Sequence, residues 1–376
     1  MRNHCISVFR LAYLAAICGA LLGAQACPAS APDSAGQPDF TIRTEPGHAM
    51  VPLGGRIDVR VRVLDGDGRP ASGKLTVQTG GTDVRQVDAD LKLDPSGVAT
   101  YVFRAPREME TGIRAVKVRH APSGANRSFC VDVLDRTTYE AFDRIAGKID
   151  LERLPAHLLF IGDSLTDQLR GQNYVDKVEF WLGTRYGGRA TVKNAGVGGD
   201  YILRVWGRLN GEPGTYRLSM YDGLFEPVPT RVLFFLGHND SKLTSRSDYA
   251  TPVVLPGQFE EKYRLAIRKV QDATGAKITV ISATSSVYEI TKATAAKRRA
   301  AGKAHNLFGK PEALEQFNAI ARKVAGECGA AYLDVYEPTR QHANKPSLFR
   351  PDGVHVSNEG NRLLALAILK HLSGSE

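Results

Sequence analysis

The hydrophobic period changes once along this 376-residue chain, between residues 136 and 155, and that change restricts it to two unlike parts. Upstream, apolar and polar residues alternate. Ile57-Asp58-Val59-Arg60-Val61-Arg62-Val63 has the period of a half-buried strand, whose side chains point to opposite faces in turn. Further strands are expected at 40–43, 74–78, 88–93, 98–103, 113–119 and 128–133. Turn signals such as Asp65-Gly66-Asp67-Gly68, Pro95-Ser96-Gly97 and Pro122-Ser123-Gly124 separate them. Short strands across 39–135 with no helical pattern predict an antiparallel β-sandwich. Residues 136–155 place Tyr139, Phe142, Ile145 and Ile149 at helical spacing, which predicts a short linking helix. From 156 to 376, expected strands at 158–161, 190–193, 232–236, 278–282 and 331–335 alternate with helical patterns. That alternation predicts a parallel α/β sheet with helices on both faces.

The first 26 residues read as a signal peptide. Arg2 and Arg10 supply a positive start, 11–22 an apolar core too short to span a bilayer, and Ala24-Gln25-Ala26 a small-residue cleavage site. Residues 27–38 read as a flexible leader rich in Pro, Ala, Ser and Gly. Export to the periplasm or the medium is therefore expected, with no transmembrane helix after cleavage. Cys27 follows the cleavage site directly, which leaves lipid anchoring open, although Ala24 and Gln25 make a poor lipobox. Loss of the two signal arginines lowers the formal charge from +9 to +7. This moderate excess suits an anionic envelope, an acidic polysaccharide or phospholipid headgroups. It does not point to nucleic acid, because no basic run is interleaved with aromatics in a recognisable module. Cys130 and Cys328 are expected to be separate buried thiols. His and Cys do not cluster at ligand spacing, so no metal and no cofactor are expected.

The groups that could carry chemistry fall at strand ends. Leu158-Leu159-Phe160-Ile161 ends in Gly162-Asp163-Ser164, which delivers Ser164 where ligands collect in an open α/β sheet. Ser164 is the candidate nucleophile; a helix-capping serine is the alternative. Asp352-Gly353-Val354-His355 supplies a base and a group to orient it. A mere helix cap is the alternative there, but Ser357 or Asn358 can already fill that role. Asn194-Ala195-Gly196-Val197-Gly198-Gly199-Asp200 follows a strand and opens a helix, so its free N–H groups suit an anion. Its spacing is not that of a dinucleotide-binding loop. Leu236-Gly237-His238-Asn239-Asp240 offers the Asn239 amide to an oxyanion, or else forms an Asx-turn. His238 is a rival base without an acidic residue shortly before it.

Gly162-Asp163-Ser164-Leu165, Gly196-Val197-Gly198-Gly199-Asp200, Gly237-His238-Asn239-Asp240 and Asp352-Gly353-Val354-His355 together resemble the four blocks of the SGNH (GDSL-type) esterase family, in order, over 155–376. The resemblance implies a flavodoxin-like fold with sheet order 2-1-3-4-5. It implies Ser164 as nucleophile, His355 as base and Asp352 as its orienter. It also implies an oxyanion hole made by the Ser164 and Gly199 N–H groups and the Asn239 side chain. Tyr201 departs from the family, many members of which have a small hydroxyl residue there. Upstream, Val63 to Pro70, Gly73 to Val77 and Gly97 to Thr100 resemble bacterial immunoglobulin-like modules, whose role here would be spacing or docking at an envelope surface.

The expected protein is thus an exported serine esterase that acts on a small-molecule or polysaccharide acyl ester, with O-acetyl groups of a carbohydrate first. A lysophospholipase or broad acyl esterase is the alternative. A non-catalytic surface-binding protein is a third reading, and it requires the Ser-His-Asp geometry to fail. The basic stretch 292–310 reads as a solvated helix or as an anion-contacting flap.

Overall fold

The structure is a computed structural model that describes residues 40–80, 86–152 and 154–374. The expected signal peptide and leader lie outside the described residues.

The first part holds β1 (Thr41–Glu45), β2 (His48–Pro52), β3 (Arg56–Leu64), β4 (Lys74–Gly80), β5 (Gln86–Lys92), β6 (Val98–Arg104), β7 (Gly112–His120) and β8 (Asn126–Leu134). They form two sheets, ordered β1-β3-β6 and β2-β8-β7-β4-β5. On β3 the valines at 59, 61 and 63 are buried and Arg60 and Arg62 exposed, as the alternation requires. The sheets meet face to face. Tyr101 of β6 reaches the other sheet, its hydroxyl 3.0 Å from Thr79 Oγ1 of β4 and its ring edge-on to Phe129 of β8.

Two expectations need correction here. The sandwich is not purely antiparallel, because β2 pairs with β8 in parallel. β2 itself escapes the periodic pattern, since four of its five residues are buried. β8 is likewise buried continuously from Phe129 to Leu134. Each of these strands has the sandwich core on one face and helices of the second part on the other, so alternation disappears. The second correction concerns Cys130, which is disulfide-bonded; among the described residues Cys328 is the free cysteine.

α1 (Arg136–Lys148) is the linking helix. Asp135 caps it by accepting the Thr138 N–H at 2.8 Å. Beyond it come β9 (Ala156–Gly162), α2 (Tyr174–Tyr186), β10 (Ala190–Asn194), α3 (Ile202–Leu209), β11 (Arg231–Phe235), α4 (His238–Ser241) and α5 (Pro256–Thr274). β12 (Lys277–Ile281), α6 (Tyr288–Ala300), α7 (Pro311–Glu327), β13 (Ala331–Leu333), α8 (Tyr336–Arg340) and α9 (Asn358–Leu372) complete the order. The five strands pair in parallel as β10-β9-β11-β12-β13, the 2-1-3-4-5 order of a flavodoxin-like sheet. The connections leave β9 and β11 in opposite directions, so a crevice opens beyond the carboxyl ends of these two strands.

The two parts share a core. Phe142 of α1 stacks on Trp181 of α2 at 5.8 Å, and both side chains are buried. Asp132 of β8, fully buried, accepts Lys177 Nζ of α2 at 2.8 Å, Arg362 Nη2 of α9 at 2.6 Å and Asn358 Nδ2 at 2.9 Å. Burial pushes this carboxyl up, but the Lys177 and Arg362 charges outweigh burial and hold it below the ordinary carboxylate range. Asp132→Ala would leave the buried Lys177 ammonium uncompensated. The expected cost is about 3–5 kcal/mol, read as a lowered midpoint in thermal or urea unfolding. Apolar replacement of Asp132, Lys177 and Arg362 together should recover much of that loss; a single variant as stable as the parent would disprove the assignment.

Candidate active site

Ser164 and Asn239 stand beyond β9 and β11, the two strands that border the crevice. The turn that presents Ser164 is held from below by Asp163, whose Oδ1 accepts the Leu165 N–H at 2.9 Å. Thr166 then packs against the glycine loop after β10. A Cβ on Gly196 would stand 2.6 Å from Thr166, so only glycine lets the two segments approach this closely. Asn194 Nδ2 donates to the Thr166 carbonyl at 2.7 Å and ties the same two segments.

His355 arrives from the far end of the chain. Its Nε2 lies 3.0 Å from Ser164 Oγ, and its Nδ1 lies 2.7 Å from Asp352 Oδ2. The other Asp352 oxygen accepts the N–H groups of Val354 and His355, both at 2.8 Å. Asp352 therefore folds the loop and orients the ring together. Gly353 makes the turn possible at φ +76°, where a Cβ would also meet the Val287 carbonyl at 2.8 Å. Partial burial pushes the Asp352 carboxyl up, but hydrogen bonds and charge from His355 outweigh it and hold it at about 2. An ionised carboxylate only accepts, so Nδ1 carries the proton and Nε2 faces Ser164 as acceptor. Ser357, not Asp352, caps α9, accepting the Gly360 N–H at 3.2 Å.

The donors expected of an oxyanion hole are the Ser164 and Gly199 N–H groups and the Asn239 side chain. Among the described residues, neither the Ser164 N–H nor the Gly199 N–H has a protein acceptor. The Asn239 side chain is buried; its Nδ2 donates to Asp163 Oδ2 at 3.2 Å, which leaves one amide hydrogen free. Burial pushes the Asp163 carboxyl up to about 6 and that of Asp240 to about 7. Asp240 Oδ1 accepts the Ile202 N–H at the start of α3, 2.8 Å away, and so joins the β11 turn to the glycine loop.

The rival base has a different partner. His238 Nε2 meets Thr284 Oγ1 at 2.8 Å, and burial followed by the His355 charge pushes its imidazole down to about 4. Tyr201 borders α3, with the Arg204 guanidinium 4.7 Å from its ring centre. The basic stretch 292–310 comprises most of α6 and the loop after it, with Lys297, Arg298 and Lys303 exposed. Its helix start is tied to the His355 loop by the Val287 N–H, which donates to the Gly353 carbonyl at 2.8 Å.

The sequence reading missed Asp163 and Lys242. Lys242 Nζ donates to Asn239 Oδ1 at 2.9 Å. The signal for Lys242 was available: it lies three residues after Asn239, directly after the single turn of α4 that carries it.

Residues 160–363 match the model of the GDSL-like lipase/acylhydrolase family. The chain belongs to that family, which makes it a carboxylic ester hydrolase by class. No curated protein matches the chain. Solved structures similar to it include a lipase/acylhydrolase from Enterococcus faecalis, 21% identical over 58% of this chain and 96% of that one, with a TM-score of 0.44. Another is a variant of an acetyl xylan esterase from Geobacillus stearothermophilus, 20% identical over 59% of this chain and 95% of that one, with a TM-score of 0.41.

Proposed function

We propose that this protein is an exported serine esterase that removes short acyl groups, acetyl first, from a carbohydrate. The observation that carries the catalytic part is the continuous relay from Ser164 Oγ through His355 to Asp352. Ser164 attacks the ester carbonyl while His355 Nε2 takes its proton. Asp352 holds the tautomer and stabilises the imidazolium. Negative charge developing on the carbonyl oxygen meets the Ser164 and Gly199 N–H groups and the free Asn239 amide hydrogen. His355 returns its proton to the leaving alcohol, and water then releases the acyl group by the same steps. A non-catalytic surface-binding protein would have no need of this relay.

The shape of the site supports a short acyl group. The cleft holding Ser164 and His355 is small, about 20 Å³, well below the volume of a site that encloses a large ligand, and Arg170, Asn173, Arg350 and Asn361 line it beside Leu165 and Val356. A long acyl chain would have to desolvate those polar groups. The larger cleft, about 570 Å³ between α7, β13 and α8, contains none of the relay residues. The disulfide at Cys130 suits an oxidising compartment and so supports export. The basic charge supports an acidic carbohydrate partner, and the sandwich offers a surface for docking it.

An acyl series of p-nitrophenyl esters tests the substrate class. Turnover efficiency should be highest at two to four carbons and lower by about tenfold or more at eight. Efficiency that climbs beyond about eight carbons would instead establish the lysophospholipase or broad acyl esterase reading.

A further inference from the structure

An asparagine in an oxyanion hole has an ambiguity that a backbone N–H lacks. Its amide oxygen and nitrogen are nearly isosteric, and a half-turn about the last side-chain bond would present an acceptor to the developing anion. Some neighbour must select the productive orientation. At Asn239 the two ends of the amide meet opposite partners. Oδ1 faces Lys242 Nζ, which can only donate, at 2.9 Å. Nδ2 faces an Asp163 carboxylate oxygen at 3.2 Å, which accepts. The reversed amide would set donor against donor and oxygen against oxygen.

We propose that Lys242 is a positioning residue of the oxyanion hole, which locks the Asn239 amide with its N–H groups toward Ser164 and polarises it. The proposal rests on the serine-esterase reading above and extends it. Lys242 follows the turn of α4 that carries Asn239, so the short spacing fixes the contact. Its ammonium is half-buried and lies 5.0 Å from the Phe308 ring centre, a cation–π contact from the loop before α7. Asp163 and Asp240 attract the ammonium from the β9 and β11 turns, and Arg204 repels it from α3. A charge-assisted hydrogen bond to the amide oxygen withdraws electron density from the nitrogen, which makes the remaining N–H a stronger donor. The second donor is held in a parallel way. Arg204 Nη1 donates to the Gly199 carbonyl at 3.1 Å, with its guanidinium between the Tyr201 and Tyr216 rings. The Tyr201 departure from the family pattern thus has a use: its ring supports the cation that steadies the glycine.

The test is a double-mutant cycle on p-nitrophenyl acetate. Asn239→Ala should lower kcat by about 10²- to 10³-fold. Lys242→Met should lower kcat by about tenfold with KM unchanged, and Lys242→Arg should restore most of it. In the Asn239→Ala background, Lys242→Met should cost nothing further, because the group it acts through is gone. Wild-type kcat in Lys242→Met would overturn the proposal. So would a double mutant that loses the product of the two single effects, or a loss that Lys242→Arg does not rescue. Lys242→Gln serves if the methionine variant does not fold. A second readout is independent of hydrolysis. The side-chain amide resonances of Asn239, assigned by their disappearance in Asn239→Ala, should move in Lys242→Met and stay near their wild-type positions in Lys242→Arg. Unmoved resonances in Lys242→Met would sink the proposal, and this holds even if Ser164→Ala kept full turnover and removed the serine mechanism itself.

Discussion

Ser164→Ala is expected to lower kcat on p-nitrophenyl acetate by at least about 10⁴-fold while leaving the unfolding midpoint unchanged. The size follows from the roles in the relay. Without Oγ no acyl-enzyme forms, and His355 has no proton to move. What remains is binding and the oxyanion donors acting on water, which sustains only a residual rate. Stability should be untouched, because the Ser164 side chain is partly exposed and its hydrogen bond is to His355 alone. A variant with turnover within tenfold of wild type would remove Ser164 from the mechanism. A variant with a lowered midpoint would assign the serine a structural role instead.

Asp352→Asn should be nearly as damaging, by about 10³-fold in kcat, for a reason particular to this loop. In the wild type, Oδ1 accepts two backbone N–H groups and Oδ2 accepts the imidazole N–H. An asparagine has one acceptor end. The two backbone donors will claim its oxygen, which leaves the amide nitrogen, a donor, facing His355 Nδ1. The ring must then carry its proton on Nε2 and point an N–H at Ser164, the wrong tautomer for a base. The loss falls short of that at a fully buried triad because Asp352 is half-exposed, and water can serve part of the population. The loop should keep its shape, since the two backbone bonds survive, so the His355 ring should stay in place in a crystal structure of the variant. Turnover within tenfold of wild type would show that Asp352 only folds the loop. The mechanism also implies that the ionised state of Asp352 does not limit activity above about pH 4. Its folded pKa of about 2 lies below the ordinary carboxylate value, so the native state favours the charged form throughout that range.

Much of the fold was legible because local chemistry specifies it. The alternation on β3 and the punctuating glycines and prolines gave the sandwich strands, and the runs ending at Gly162 and Gly237 gave the buried parallel strands of the second sheet. Strand order came instead from the four-block resemblance, and the pairings bear it out. β2 was invisible for a physical reason: it is covered on both faces, and a strand without a wet face has no period to read. Asp132 was equally hidden. In sequence it is one acid in a mostly apolar strand, and only the docking of α2 and α9 makes it the buried counter-charge of Lys177 and Arg362.

The candidate site divides in the same way. The sequence by itself determined which residue types stand at the strand ends: a serine after β9, glycines after β10, an asparagine after β11, and an acid and a histidine three apart before α9. Those are local facts, set by hydrophobic period and turn chemistry. Only the tertiary structure decided that Ser164 and His355, 191 residues apart, meet at 3.0 Å, that His238 turns away to Thr284, and that Lys242 and Asp163 grip opposite ends of the Asn239 amide. The physical reason is range. Strand and turn propensities act over a few residues, whereas the direction of a buried hydrogen bond depends on which distant groups the packed core excludes from water.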